Sequence, residues 1–197
     1  MNFDSLGLAP EIMKAINEVG YTEPTPIQAE AIPEVLRGRD VLGIAQTGTG
    51  KTASFTLPMI HRLMTGRAKA RMPRTLILEP TRELAAQVAE NFDLYGKYTK
   101  LTKALLIGGV SFKDQELAIM RGADVLIATP GRLLDHVERG GVLLRGVEVL
   151  VIDEKGPRSY YPFSIQSGFS FSGKEKEHKI AHCIFEHVYF ACPDSTI

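Results

Sequence analysis

The sequence has no excess of charge of either sign: 23 Lys and Arg balance 23 Asp and Glu. A protein that binds nucleic acid through its overall field would be strongly basic, so any such contact here has to come from a local surface. Cysteine is scarce, with Cys183 and Cys192 the two in the chain. Two thiols make no disulfide framework, and a reducing, cytoplasmic setting is expected. No run of ~18 apolar residues occurs, so no membrane span is expected. The start, Met1 to Leu8, has acidic Asp4 and no Lys or Arg before an apolar run, and does not read as a secretory leader. Internal repeats are lacking. What remains, at 197 residues and 44% hydrophobic, is the composition of a globular domain able to bury a core.

From Asp40 to Glu154, short β-branched runs alternate with helical stretches. Val41–Ala45, Thr75–Leu78, Ala104–Ile107, Val125–Ala128 and Val147–Ile152 are nearly continuous apolar runs. That pattern predicts strands buried on both faces. Thr52–Met64, Arg82–Tyr95, Phe112–Met120 and Gly131–Glu138 carry the helical period between them. Strand alternating with helix predicts an α/β fold, a parallel sheet covered on both sides. Ahead of it, Pro10–Val19 and Pro26–Leu36 read as helices, with Pro33 expected to kink or divide the second. Beyond Glu154 the pattern stops. Residues 155–173, with Gly156, Pro157, Pro162, Gly168 and Gly173, read as loop. Lys174–Lys179 reads as a solvated turn or helix start, and Cys183–Ala191 as one further strand.

Ala45-Gln46-Thr47-Gly48-Thr49-Gly50-Lys51-Thr52 follows the first strand and opens a helix. Gly48 and Gly50 allow the backbone to close round an anion. Successive N–H groups and the helix N-terminus then face phosphates. Lys51 supplies positive charge and Thr52 a hydroxyl for Mg²⁺. Val149–Ile152 is a buried strand ending in Asp153 and Glu154. Ligands of such sheets lie beyond the strands' carboxyl ends. Asp153 is therefore placed to hold Mg²⁺, and Glu154 to orient or deprotonate an attacking water. Without the phosphate loop, two acids after an apolar strand read more simply as the start of a solvated loop.

Taken together, these motifs resemble the DEAD-box RNA helicases. Gly20-Tyr21-Thr22-Glu23-Pro24-Thr25-Pro26-Ile27-Gln28 is similar to that family's adenine-reading motif, and Phe3 lies where the family places an isolated aromatic. The phosphate loop has the family's Ala-x-x-Gly-x-Gly-Lys-Thr form. Pro80-Thr81-Arg82-Glu83-Leu84, Gly108-Gly109 and Thr129-Pro130-Gly131-Arg132 resemble its RNA-backbone contacts. Val151-Ile152-Asp153-Glu154 begins its eponymous box. The resemblance implies a RecA-like P-loop domain over residues 40–154, preceded by an adenine-reading segment over 1–39. It implies ATP and Mg²⁺ as ligands, and single-stranded RNA held by its backbone without regard to sequence. Gln28 would read adenine's edge, with Tyr21 and Phe3 against the base. The simpler reading of either aromatic alone is a small satellite core.

The departures carry expectations of their own. Lys155 and Gly156 stand where the family continues with Ala-Asp, and its Ser-Ala-Thr motif is not recognisable. The sheet is expected to be incomplete after the Asp-Glu strand. The strand bearing Ser-Ala-Thr would lie between the phosphate-loop strand and the Asp-Glu strand, and its loss would unpair two rows of backbone groups. Cys183–Ala191 is the candidate to fill that gap. The second RecA-like domain and its arginine finger are missing from this sequence, and such an arginine is worth ~10³–10⁵ in rate. Slow turnover and no unwinding are expected, the rival readings being a non-catalytic binding fragment or a non-functional fusion product. Residues 182–195 resemble a stretch of glutamine amidophosphoribosyltransferase, which suggests that 155–197 is an unrelated, fused tail. His178, His182, Cys183, His187 and Cys192 have spacings that fit no zinc site well.

Overall fold

The computed structural model describes residues 2–46 and 48–153, together with the backbone of three short strands at 163–165, 169–171 and 189–191. Helices α1 (Pro10–Val19) and α2 (Pro26–Leu36) lead into β1 (Leu42–Ile44). There follow α3 (Lys51–Leu63), β2 (Thr75–Leu78), α4 (Arg82–Tyr95), β3 (Lys103–Leu106), α5 (Phe112–Met120), β4 (Val125–Ala128), α6 (Pro130–Glu138) and β5 (Val149–Ile152). The last strands are β6 (Phe163–Ile165), β7 (Phe169–Phe171) and β8 (Tyr189–Ala191). Among the described residues no helix is long and apolar enough to cross a membrane.

The central sheet is parallel, in the order β3-β4-β2-β5. Its strands alternate between two cores because side chains alternate across a sheet. Ile77, Val125, Ile127, Val149 and Val151 face a core shared with α1 to α4. Leu76, Leu78, Leu126, Ala128, Leu150 and Ile152 face a second core with Ile119 of α5 and Leu133 of α6. Strands β2, β4 and β5 are buried throughout, as their unbroken apolar runs predict. The segment 1–39 has no core of its own: Phe3, Ile12, Ile16 and Ile32 join that of α3 and α4.

One end of the sheet is locked by polar anchors. Arg74 grips Glu148 through Nε and Nη2 at 2.8 and 3.2 Å, while its Nη1 donates to the Leu63 carbonyl at 3.0 Å and caps the end of α3. Asp124 accepts from the backbone N–H groups of Ala68 and Thr102 at 3.1 and 3.0 Å. Both residues stand before their strands. The carboxyl ends, and the N-terminus of α3, are thereby directed to the opposite edge.

Several expectations are corrected. Strand β1 is not buried on both faces: Leu42 and Ile44 are 65% and 62% exposed, and Gly43 alone is covered. The layer of α5 and α6 ends at β5, where Leu150 and Ile152 are already its least covered members along with Leu144 and Ala123. Strand β3 is half-buried and alternating because it is an edge of the central sheet. Pro33 does not divide α2, which runs unbroken, and Pro58 lies within α3 as well. Residues 155–173 are not all loop: β6 and β7 pair antiparallel, Ser164 opposite Ser170. Each alternates apolar, serine, apolar, a period of two over three residues that is too short to stand out. The later strand is β8, the last three residues of the expected run, and it pairs parallel with β1. It also lies alongside β5, at the position left for a missing strand. The Lys174–Lys179 turn, the His and Cys constellation and the amidophosphoribosyltransferase-like stretch apart from β8 lie outside the described residues, and so does the origin of the tail.

The exposed face of β1 gives a direct test. Ile44→Lys is expected to change unfolding free energy by less than about 1 kcal/mol in urea titrations. Ile77→Lys, at a fully buried position of β2, is expected to abolish the cooperative transition, because it buries an unpaired charge.

Candidate nucleotide and nucleic-acid site

The turn between β1 and α3 is built from left-handed glycines. Gly48 and Gly50 both have φ of 79°. A Cβ on Gly48 would meet nothing within 4 Å, whereas one on Gly50 would stand 2.3 Å from Gln28 Nε2. Gly50 is the N-cap of α3 and has no side chain with which to cap it. The first turn of a 13-residue helix thus starts beside two glycines that carry no side chain. That arrangement suits an anion with several oxygens. It fits the triphosphate that the sequence points to.

Gln28 lies against this turn. It is 3% exposed, its Oε1 accepts from the Thr25 N–H at 3.0 Å, and its Nε2 donates to the Gly50 carbonyl at 3.1 Å. The amide that would read a base therefore also clasps the phosphate loop. Tyr21 is 36% exposed, and Phe3, buried at 3%, stacks behind it at 6.2 Å between ring centroids and 18° between planes. The Tyr21 hydroxyl meets that of Tyr95 at 3.1 Å. Burial, then the Tyr21 hydroxyl, push the Tyr95 phenol well above its ordinary range. The Tyr95 phenol stays protonated, and its contact holds Tyr21 in place with Phe3 as backing.

Lys51 and Asp153 are buried and lie 3.5 Å apart, an ion pair joining the start of α3 to the end of β5. Glu79, fully buried, ends β2 next to Asp153: the register pairs Leu78 with Ile152, and the Asp153 N–H donates to the Leu78 carbonyl at 3.1 Å. One cation and two carboxylates are thus gathered at the carboxyl ends of the central strands. Thr52 is half-buried in the first turn of α3, and Ala45, Gln46 and Thr49 line the loop. Thr47 and Glu154 lie outside the described residues.

A second set of loops meets at the ends of β2, β3 and β4. Thr81 caps α4, its Oγ1 accepting from the Leu84 N–H at 3.3 Å, and Pro80 precedes it. Arg82 is exposed and reaches the Gly108 carbonyl at 3.4 Å. Gly109 has φ of 79°, and a Cβ there would stand 2.7 Å from Arg82 Nη1. Thr129 donates its N–H to the Leu106 carbonyl at 3.0 Å, and Pro130 is buried at the first position of α6. Arg132 is half-committed to the neighbouring loop, through Nε to the Ile107 carbonyl at 3.0 Å and Nη2 to the Val110 carbonyl at 2.9 Å. Gly108 and Gly131 have nothing within 4 Å of a built Cβ, so their backbones can be approached closely. The expected residues do converge, but Thr81 Oγ1 and two Arg132 donors are already engaged.

Three polar residues went unread in the sequence: Glu79, Gln115 and His136. Each sits where the apolar pattern calls for a hydrophobe. Glu79 extends a buried strand, Gln115 precedes Ile119 by one turn, and His136 follows Leu133. Polar residues at apolar phase were the available signal.

The family model described as DEAD/DEAH box helicase matches residues 25–156. The chain is 49% identical over 153 residues to the ATP-dependent RNA helicase DeaD of Buchnera aphidicola, covering 77% of the chain and 25% of that relative. Among solved structures it is similar to a DEAD box protein from Methanococcus jannaschii, with a TM-score of 0.80 and 30% identity over all of the chain and 50% of that protein. It is similar as well to the RNA helicase Prp28 from Chaetomium thermophilum bound to ADP, with a TM-score of 0.79 and 30% identity, covering 46% of that protein. The chain thus spans a quarter of the length of the curated relative and about half of each solved structure.

Two measurements test the electrostatics. Lys51→Met is expected to lower stability by about 3 kcal/mol, since it leaves a buried carboxylate uncompensated, and Lys51→Met with Asp153→Leu to recover most of that loss. His136 is held below its ordinary 6.5, first by burial and then by the Arg132 charge, with Arg139 acting in the same direction and Glu116 and Asp135 opposing. The folded state therefore binds the proton less readily than the unfolded one. Stability is expected to be full above pH 6.5 and to fall as pH drops below it, and His136→Gln to remove that part of the loss in thermal melts across pH 5.5–7.5.

Proposed function

The chain belongs to the DEAD/DEAH box helicase family, and from that premise we propose that it binds ATP with Mg²⁺, hydrolyses it slowly, and holds single-stranded RNA by its backbone. The observation that carries this reading is the buried Lys51–Asp153 pair at the mouth of an uncapped, glycine-lined helix start. Lys51 neutralises the terminal phosphates while the backbone N–H groups of 45–52 take their oxygens. Thr52 and Asp153 are the residues that would hold Mg²⁺, whose chemistry there would be to neutralise charge on the phosphate oxygens. Glu154 orients the attacking water. With one amide hydrogen and one oxygen lone pair already engaged by Gly50 and Thr25, Gln28 presents its second donor and second acceptor to the adenine edge, with Tyr21 and, behind it, Phe3 against the ring.

Arg82, Gly108, Gly109, Thr129, Gly131 and Arg132, with Pro80, Thr81 and Pro130 shaping their loops, form the RNA surface. Guanidinium and backbone N–H groups recognise phosphate and leave the bases unread, so binding is independent of sequence and falls with salt. The neutral overall charge suits such a surface, because affinity then depends on local placement. An arginine finger from a second RecA-like domain would speed hydrolysis by ~10³–10⁵, and duplex unwinding requires such a domain. Residues 1–39 read adenine, 40–154 carry the phosphates and RNA, and 155–197 serve neither, in a cytoplasmic setting.

ATP·Mg²⁺ at ~100 times its dissociation constant is expected to stabilise the chain by ~2.7 kcal/mol, a rise of several degrees in Tm. Lys51→Ala is expected to abolish that rise, and Glu154→Gln to keep it while removing RNA-stimulated phosphate release. A chain that melts cooperatively yet shows no shift with ATP·Mg²⁺, identically in Lys51→Ala, would overturn the reading. A shift retained with no turnover would reduce it to a non-catalytic nucleotide-binding module.

A further inference from the structure

Behind the Gly108-Gly109 turn runs a buried chain of hydrogen bonds that the proposed activity does not use. His136, fully buried in α6, meets Gln115 Oε1 through Nε2 at 3.0 Å. Gln115, 4% exposed in α5, donates its Nε2 to the Ile107 carbonyl at 2.9 Å. Because the amide nitrogen of Gln115 is the donor to Ile107, its oxygen must accept, and the imidazole must carry its proton on Nε2. Nδ1 is left buried without a hydrogen-bond partner. The Phe112 ring stacks on the imidazole at 3.9 Å and 7°, and the Arg139 guanidinium lies 4.2 Å from the centre of that ring. This packing sets the plane of His136, so the proton on Nε2 points at Gln115 and nowhere else.

The Ile107 carbonyl receives a second donor, Arg132 Nε at 3.0 Å. The carbonyl of Ile107 and the N–H of Gly108 belong to one rigid trans peptide and point in opposite directions. Pinning the carbonyl inward, towards α5 and α6, turns the Gly108 N–H outward, at a residue with nothing within 4 Å of a built Cβ. Unpinned, that peptide would be free to flip, since Gly108 on its far side removes the steric barrier to doing so.

We propose that Gln115 and His136 are positioning residues for RNA: their hydrogen-bond chain fixes the Ile107–Gly108 peptide so that the Gly108 N–H is presented to a backbone phosphate. The inference rests on the reading of this loop as part of the RNA surface. Neither side chain touches RNA, and both act through Ile107. A chain of this kind strengthens binding by preordering the loop, and leaves the count of cationic phosphate contacts unchanged.

The test is fluorescence anisotropy with a labelled twelve-nucleotide oligo(U) RNA, titrated with the chain at several salt concentrations between 50 and 200 mM. Gln115→Met, which keeps the shape and removes the hydrogen bonds, is expected to weaken binding about three- to tenfold. The slope of log affinity against log salt should stay as in the wild type. His136→Leu is expected to do the same, and His136→Gln, which can still donate to Gln115, to return affinity to within about twofold. Arg82→Ala is the reference for the surface itself, and should weaken binding and lower the slope by about one. The shift in Tm with ATP·Mg²⁺ should be kept by Gln115→Met and by both His136 variants, which confirms that each is folded. Wild-type affinity in Gln115→Met and His136→Leu alongside a weakened Arg82→Ala would overturn the inference and leave the RNA surface standing. A lowered salt slope in Gln115→Met would overturn it as well. No difference between wild type and Arg82→Ala would bring down the RNA surface, and the inference with it.

Discussion

The arrangement turns on a lysine that cannot be buried alone. Lys51 is 6% exposed, and an ammonium so far from water needs a counter-charge held by rigid structure. Asp153 supplies it from the end of β5, 3.5 Å away. That one contact fixes where α3 must begin relative to β5, and hence where the phosphate loop sits against the sheet. The other end of the same helix is tied down by Arg74, which takes the Leu63 carbonyl and Glu148 ahead of β5. Helix α3 is therefore clamped to the β5 segment at both ends, by the Lys51–Asp153 ion pair at one and at the other by the hydrogen bond from Arg74, itself paired with Glu148. A buried pair adds little net stability compared with hydrophobes of similar shape. Its use here is placement, and it keeps a cation and an acid where a phosphate and a metal can later separate them.

Much of this was legible in the sequence, and the reason is local. Strands β2, β4 and β5 lie in the middle of a parallel sheet, so each needs apolar residues on both faces and shows as an unbroken run. The phosphate loop is legible because left-handed turns demand Gly48 and Gly50 wherever they fall in the fold. The illegible parts depend on neighbours distant in sequence. Whether Leu42 and Ile44 are covered depends on which layer reaches β1, and that layer ends at β5. Strand β3 has the same kind of run as β4 but forms an edge. Pro33 disfavours a helix in isolation, yet α2 continues through it with Ala31, Ile32 and Val35 buried against the core. Gln115 and His136 were missed for the converse reason: each looked like noise in an apolar stripe until its partner from another helix was in view.

Strands β1 and β5 do not pair with each other. A strand edge left without a neighbour has unpaired donors and acceptors, and each buried one is costly. Strand β8 pairs with all three residues of β1, which meets that need along one edge. Three residues suffice for the ladder because the demand is for backbone groups, which every residue other than proline carries. They do not suffice for the layer above. Leu42 and Ile44 remain exposed, so the backbone requirement is met where the apolar one is not. The two requirements separate because hydrogen bonding needs a strand of any sequence, while burial needs a helix whose apolar stripe matches that face.

Strand β2 joins the two halves of the site. It pairs with β5 on one side and β4 on the other, and its carboxyl end carries Glu79 and then Pro80, Thr81 and Arg82. Glu79 stands beside Asp153 in the register and donates its own N–H to the Ala128 carbonyl of β4. From β4 the chain passes directly into Thr129 and Arg132, and Arg132 holds the Ile107 carbonyl. The path from the Lys51–Asp153 pair to the Gly108-Gly109 turn thus crosses two strand ends and one guanidinium. Every step is a hydrogen bond or register contact between neighbouring elements. The end of β5, with Asp153, and the loops that follow β2, β3 and β4 are therefore parts of one packing problem.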